Sequence, residues 1–250
     1  MNPSQKAALA EYLIGLGDDE LILAHRDSEW AGHAPILEED IAFANIALDE
    51  MGHAAAWYRL AGELLDHTVE TYPDELIFSR KADEFRNIQM VELPNGDWAF
   101  SLMRQYLFDS LESVRLNVLA ESKWEPLADT AAKIRPEELY HLRHTRTWVR
   151  RLGLGTEESN HRMQNALDEL YSFALQPFTT AAGEDQGIPE SDMLQRDWDV
   201  EIRPLLAESN LEPPEVDNSA VRSREVHTSH LFELVEEMQV VARADIEAQW

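Results

Sequence analysis

The sequence predicts an all-α protein, on three observations. Apolar residues recur at steps of three and four along most of the chain. No stretch keeps the strict alternation of a half-buried strand. Proline and glycine gather at a few points and leave long uninterrupted runs between them.

The elements follow in order. Asn2-Pro3 places an N-cap before a proline suited to the first helical position, so a first helix runs from there to about Asp27. SEWAGHAP, residues 28–35, is a turn closed by Gly32 and Pro35. A second helix runs from about Glu38 to Asp66. Residues 67–96 hold Pro73, Pro94 and Gly96 and form a less regular connection with a short helix near 81–90. Asp97 is the N-cap of a third helix ending near Ser122. KWEP, residues 123–126, turns the chain into a fourth helix that ends at Gly153. Pro136 conflicts with that helix, because an interior proline costs about 3 kcal/mol; it kinks the helix or restarts it just before Glu138. A fifth helix covers about 157–175. Then come a loop from Gly183 to Pro189, a helix near 191–207, a loop with Pro213-Pro214, and a last helix from about 222 to 247.

Two long antiparallel helix pairs joined by a long crossover make the ferritin-like variant of the four-helix bundle, here with additional C-terminal helices. The expected organisation is one domain over 1–250, with the core bundle at about 3–66 and 97–152 and helical additions at 157–250. The two hairpins read as a weak internal repeat.

A chain of 250 residues, 44% of them hydrophobic, can bury a sizeable core. With no cysteine there are no disulfides, no thiolate catalysis and no cysteine-held zinc or iron–sulfur cluster. Any metal must be held by His, Asp and Glu. The net charge is −27, from 48 acidic and 21 basic residues. Such a surface argues against nucleic acid and against an anionic membrane as partners. Lysine is confined to Lys6, Lys81, Lys123 and Lys133. Acid-rich, lysine-poor composition is expected of a halophilic protein, in whose salt-saturated cytoplasm self-repulsion is screened. MNPSQKAALAEYLIGLGDDEL lacks a basic start followed by an apolar run, so it does not read as a signal peptide. No run reaches the roughly 18 apolar residues of a membrane span. A soluble cytoplasmic protein is the expectation.

Glu-x-x-His occurs three times, at Glu50/His53, Glu138/His141 and Glu158/His161. The motif alone is weak, and placement separates the three. Glu158/His161 lies in the acidic first turn of the fifth helix, which is ordinary helix chemistry. The other two lie inside apolar stripes: Phe43, Ile46, Glu50, His53 and Trp57 on the second helix, and Ile134, Glu138, His141, Thr145 and Trp148 on the fourth. Helix one supplies Glu20 within Leu13, Leu16 and Leu23. Helix three supplies Asp109 near Leu102, Tyr106 and Leu116, with Glu112 as its substitute one turn on. Glu20 precedes Glu50 by 30 residues and Asp109 precedes Glu138 by 29, so each pair meets at the same height in its hairpin.

A di-iron carboxylate bundle takes one carboxylate from each of two helices and a Glu-x-x-His from each of the other two. Glu20, Glu50, His53, Asp109, Glu138 and His141 are therefore the candidate metal ligands. Burying an isolated ion costs several kcal/mol, whereas two divalent metals neutralise four carboxylates. Oxygen and imidazole donors suit iron or manganese, and two Fe(II) ions with open positions can together reduce and split O2. The competing reading pairs these acids with a core arginine (Arg26, Arg104, Arg143 or Arg146) and leaves His53 and His141 as satisfied core histidines. Trp57, Trp148, Tyr106 and Tyr140 read as core aromatics, some placed to line a substrate cavity. His227 and His230 read as surface or interface residues on the last helix. No catalytic residue is assigned.

SEWAGHAPILEEDIAFANIALDEMGHA, ELPNGDWAFSLMRQYLFDS, YHLRHTRTWVRRLG and the closing AQW together resemble the C-subunit family of the multicomponent phenylacetyl-CoA epoxidases, also called ring 1,2-phenylacetyl-CoA monooxygenases. The resemblance runs from about Leu16 to Trp250, and Glu29-Trp30-Ala31-Gly32-His33-Ala34-Pro35 is its most specific motif. It implies a component of an aerobic phenylacetate degradation complex. In that family a related ferritin-like A subunit bears the di-iron site and epoxidises the ring of phenylacetyl-CoA with O2. The C subunit pairs with A and holds the complex together. The system is completed by a small subunit, with a separate reductase that brings NADPH and its iron–sulfur and flavin groups. The family's C subunit is regarded as having lost its metal ligands, and this sequence departs from that at all six positions. The expected role is the structural subunit. The alternatives are an oxygenase subunit with its own di-iron centre and a stand-alone ferritin-like metal-binding protein. Coenzyme A is anionic, so its site calls for local arginine.

Overall fold

A capping box opens the first helix, α1 (Pro3–Ser28): the Gln5 N–H donates to the Asn2 side chain at 2.9 Å, and the Asn2 N–H donates to the Gln5 side chain at 2.8 Å. These residues belong to a computed structural model that describes residues 1–179, 188–216 and 223–244. Gly32, at φ 80°, supplies the left-handed residue of the turn that follows, and its N–H donates to Asp40 at 2.7 Å. The chain then returns as α2 (Leu37–Leu64), packed along α1.

Asp97 caps α5 (Trp98–Leu119) by accepting from the Phe100 N–H at 3.0 Å, and α6 (Glu125–Gly153) closes the second hairpin. Between the hairpins lie α3 (Tyr72–Ser79), a 3-10 turn at Ala82–Glu84 and α4 (Gln89–Glu92). The additional helices are α7 (Glu157–Ala174), α8 (Ser191–Glu208), α9 (Ser229–Met238) and α10 (Val240–Ala244). Helices α7 and α8 pack on α5 and α6. Trp198, fully buried, anchors α8 by donating to the Leu107 carbonyl at 3.3 Å. No strand occurs among the described residues. The architecture is an all-α, ferritin-like four-helix bundle with additional helices.

The long helices end within a few residues of the expected bounds. The crossover differs. Its helix lies at 72–79, where Pro73 sits in the first turn, and residues 81–90 hold only a 3-10 turn and extended chain before α4. The last helix begins at Ser229 rather than near 222. His227 and Thr228 stay outside it because both bond Glu92: His227 Nδ1 at 2.6 Å and the Thr228 N–H at 2.6 Å. The His227 side chain is thus buried against Glu92 and not on the surface. Most of the Gly183–Pro189 loop and the closing AQW lie outside the described residues. Helix α6 runs unbroken through Pro136. Both Pro136 and Ala132, whose carbonyl loses its intrahelical donor, are exposed, so the position is open to water.

Trp57 and Tyr106 are fully buried as expected, but Trp148 is half-buried and Tyr140 is 61% exposed. Tyr140 precedes His141 by one residue, which turns it about 100° off the buried stripe.

Buried acids tie the crossover to α1. Asp18 accepts from the Tyr58 hydroxyl at 2.6 Å, Arg80 Nη2 and Nη1 at 2.5 and 2.9 Å, and the Arg86 N–H at 2.6 Å. Asp19 accepts from the Ile88 N–H at 2.7 Å and from both Arg224 terminal nitrogens at 2.9 Å. Gly17 makes room for this layer, since a Cβ there would lie 2.5 Å from the Tyr58 ring.

Candidate metal centre

The four bundle helices bring all six sequence-predicted ligands into one layer. Glu20 comes from α1, Glu50 and His53 from α2, Asp109 from α5, and Glu138 and His141 from α6; all are buried. They form two sets of four: Glu20, Glu50, His53 and Glu138, then Glu50, Asp109, Glu138 and His141. Within each set the candidate ligand atoms lie within 4.8 Å of one another. Glu50 and Glu138 belong to both. Glu112 belongs to neither, being buried in an ion pair with Arg115.

The imidazoles face each other with ring centres 6.1 Å apart. His53 Nδ1 lies 3.1 Å from Glu138 Oε1 and 3.9 Å from both Glu20 and Glu50. His141 Nδ1 lies 3.5 Å from Glu138 and 3.6 Å from Glu50. Each ring is held from its far side. His53 Nε2 bonds Glu137 at 2.8 Å, and His141 Nε2 bonds Asp49 at 3.2 Å. These bonds cross between hairpins, since Glu137 lies on α6 and Asp49 on α2. A carboxylate that takes the outer N–H fixes the ring and leaves the other nitrogen facing inward, the usual support of a metal-ligating histidine.

Asp109 is clamped. Gln105 Nε2 donates to Asp109 Oδ1 at 2.8 Å and to Glu50 Oε1 at 2.9 Å, and the Thr145 hydroxyl donates to Asp109 Oδ2 at 2.7 Å. Sequence reasoning missed Asp49, Glu137 and Gln105. A signal existed for the first two, because an acid directly precedes the glutamate in both motifs: Asp49-Glu50 and Glu137-Glu138.

Burial pushes Glu20 well above the usual carboxylate range, and the Glu50 charge adds to it. Burial raises Asp109 in the same way, with Glu138 adding to it. Burial acts to lower both imidazoles, but the approach of Glu138 outweighs it: His53 is raised to about 9 and His141 to about 12. Glu138 runs the other way. Burial acts to raise it, and the two histidines bring it down to about 2. Without metal, protons balance the charge of this layer.

Both oxygens of Glu20 and of Glu138, Glu50 Oε2, and Nδ1 of both histidines lack a hydrogen-bond partner. Buried polar atoms are nearly always bonded, so a cluster of inward-facing orphans fits a cation. Oxygen and imidazole donors fit a divalent transition metal. The arginines of the competing reading are elsewhere. Arg26 bonds Glu29 and the Glu92 carbonyl, Arg104 bonds the Leu93 carbonyl and Asn95, and Arg146 pairs with Glu201. Arg143 is exposed. The buried cluster thus has the ligands to bind a metal.

The family model of the phenylacetic acid catabolic proteins matches residues 1–250. This chain belongs to that family. Among curated proteins, the C subunit of the 1,2-phenylacetyl-CoA epoxidase of Escherichia coli (strain K12) is 37% identical over 250 residues, covering 97% of this chain and 99% of the relative. In this member of the phenylacetic acid catabolic family, the Glu29–Pro35 motif forms the turn between α1 and α2, where Glu29 bonds Arg26 at 2.8 Å. Among the described residues, no helix is long and apolar enough to cross a membrane.

Proposed function

We propose that this chain is the C subunit of a multicomponent 1,2-phenylacetyl-CoA epoxidase of aerobic phenylacetate degradation. The observation that carries this reading is similarity over essentially the full length of a protein bearing that name, 97% of this chain and 99% of the relative. The chain is then part of an oxidoreductase complex. It pairs with a ferritin-like catalytic A subunit, and phenylacetyl-CoA and reductase electrons reach it through the complex.

The buried cluster favours a second element of the reading. Glu20, Glu50, His53, Asp109, Glu138 and His141 would together hold a pair of iron ions. When bound, such a pair supplies the capacity to reduce O2. The chain's own residues do the rest. Glu137 and Asp49 orient the imidazoles, Gln105 and Thr145 fix Asp109, and the protons held by the cluster leave as the cation enters.

The experiment is metal analysis by mass spectrometry on protein expressed in high salt with iron supplied, beside a Glu50→Ala, His53→Ala variant, with co-purification of the other epoxidase subunits scored in parallel. About two metals per chain, lost in the variant, is the expected result. Association with the A subunit and no metal in either protein leaves a purely structural role. Neither association nor metal overturns the whole reading, and a many-iron cage makes the chain a store.

A further inference from the structure

Acidic residues are sparse along one face of a very acidic molecule, and those at its seam are held by histidines. The chain has 48 of them, yet between Ile41 and Gly62 of α2 there are only Asp49 and Glu50, and between Leu139 and Thr156 there are none. Asp49 is tied to His141 and Glu50 is buried. These two stretches are neighbours. The Glu39–His144, Asp49–His141 and His53–Glu137 contacts run along the seam where α2 meets α6.

What replaces the acids is apolar, aromatic and arginine-rich. On α2, Leu37, Ile41, Leu48 and Met51 are 71%, 55%, 64% and 47% exposed. They recur at helical steps opposite the buried stripe, over about 21 Å at the helical rise per residue. On α6, exposed Tyr140 and half-buried Trp148 border a concavity of about 210 Å³ with Arg143, His144 and Thr147. The Arg151 guanidinium lies 4.6 Å over the Trp148 ring. Arg59, Arg143 and Arg151 are exposed and form no ion pair among the described residues. Tyr, Trp, Met and Arg, with acids and lysine depleted, is the composition of an interface core.

We propose that the outer faces of α2 and α6 are the docking surface for a different helical subunit, one that presents an apolar ridge flanked by carboxylates. The charge pattern selects that occupant. A second copy docked face to face would set Arg59, Arg143 and Arg151 against a surface whose central acids, Asp49 and Glu137, are already held by His141 and His53. A chain with carboxylates beside its ridge pairs them. This rests on the reading of the protein as one subunit of a complex, and it names the face used.

The test co-expresses the chain with the other epoxidase subunits and measures association by light scattering and titration calorimetry in high salt. Leu48→Glu with Tyr140→Glu is expected to weaken association about 30-fold or more, the scale of an interface hot spot. Arg143→Glu with Arg151→Glu is expected to weaken it less. Val200→Glu, at a position 74% exposed on α8, serves as control and leaves it unchanged. All these positions face solvent, and circular dichroism melts confirm folding. Undiminished association of the Leu48/Tyr140 variant with its partner overturns the proposed face while keeping the subunit reading. A wild-type homodimer that this variant splits overturns the choice of occupant. Failure of the wild type to bind any epoxidase subunit overturns the subunit reading itself.

Discussion

Asp18, Asp19 and Glu20 are consecutive on α1 and almost wholly hidden from water, at 0%, 0% and 1% exposure. Their surroundings differ completely. Asp18 meets Tyr58, Arg80 and a backbone N–H, and Asp19 meets Arg224 and a backbone N–H. Neither oxygen of Glu20 has a donor. The helix turn of about 100° per residue aims the first two at the crossover and the third at the bundle axis. Burial of an acid is therefore no mark of function. A buried acid that the chain supplies with cations and N–H groups is a structural tie. A buried acid left without donors, beside others in the same state, is a candidate ligand site.

The sharpest way to break that distinction is to remove a cation from the paired layer. Arg80→Ala leaves Asp18 buried and short of its counter-charge, and should cost about 3–5 kcal/mol in urea unfolding. Metal content per folded chain should not change. A loss of metal in proportion to stability would merge the two layers into one.

Acid should act on the unpaired layer next. With His53 raised to about 9, His141 to about 12, and Glu20 and Asp109 raised by burial, the metal-free core carries protons that a cation must displace. Metal affinity should fall as pH falls, by up to about tenfold per pH unit for each proton displaced. Calorimetry in buffers of different ionisation enthalpy counts those protons. The metal-free fold has the opposite slope. His53 titrates near 6.5 when free and near 9 when folded, so its contribution is complete below 6.5 and is lost as pH rises through about 9. Denaturation midpoints of the metal-free protein across that window check the sign, and a rising midpoint would contradict it.

The smallest stability effect belongs to Glu20→Gln. It removes a carboxyl that accepts no hydrogen bond and lies 3.9 Å from His53, so metal-free stability should hold or rise slightly, while cobalt titration should show one of two sites weakened. Destabilisation comparable with Arg80→Ala would mean that Glu20 is another structural tie.

Most of the bundle was legible because its signals are local. Caps at Asn2 and Asp97 and stripes at steps of three and four need only neighbouring residues. The six cluster residues were legible for the same reason, as polar interruptions of apolar stripes. Asp49 and Glu137 were not, because each sits one residue off its stripe, where an acid looks solvated. Asp18 and Asp19 look the same in sequence, and their arginines lie 62 and 205 positions away. His227 was misplaced because its partner, Glu92, is 135 positions away. Tyr140 was read as core by residue type, although the helical turn faces it outward.

The crossed bonds that steady the two imidazoles join residues 84 and 92 positions apart. Each set of four takes three groups from one hairpin and the fourth from the other. Contacts so distant along the chain carry a loop-closure cost and tend to form late. Neither hairpin owns a complete set of donors. A chain still emerging from the ribosome, with α1 and α2 made and α6 not yet made, holds three donors of the first set and one of the second. Metal occupancy would therefore follow the docking of the hairpins in time, and a loaded centre would certify a finished molecule.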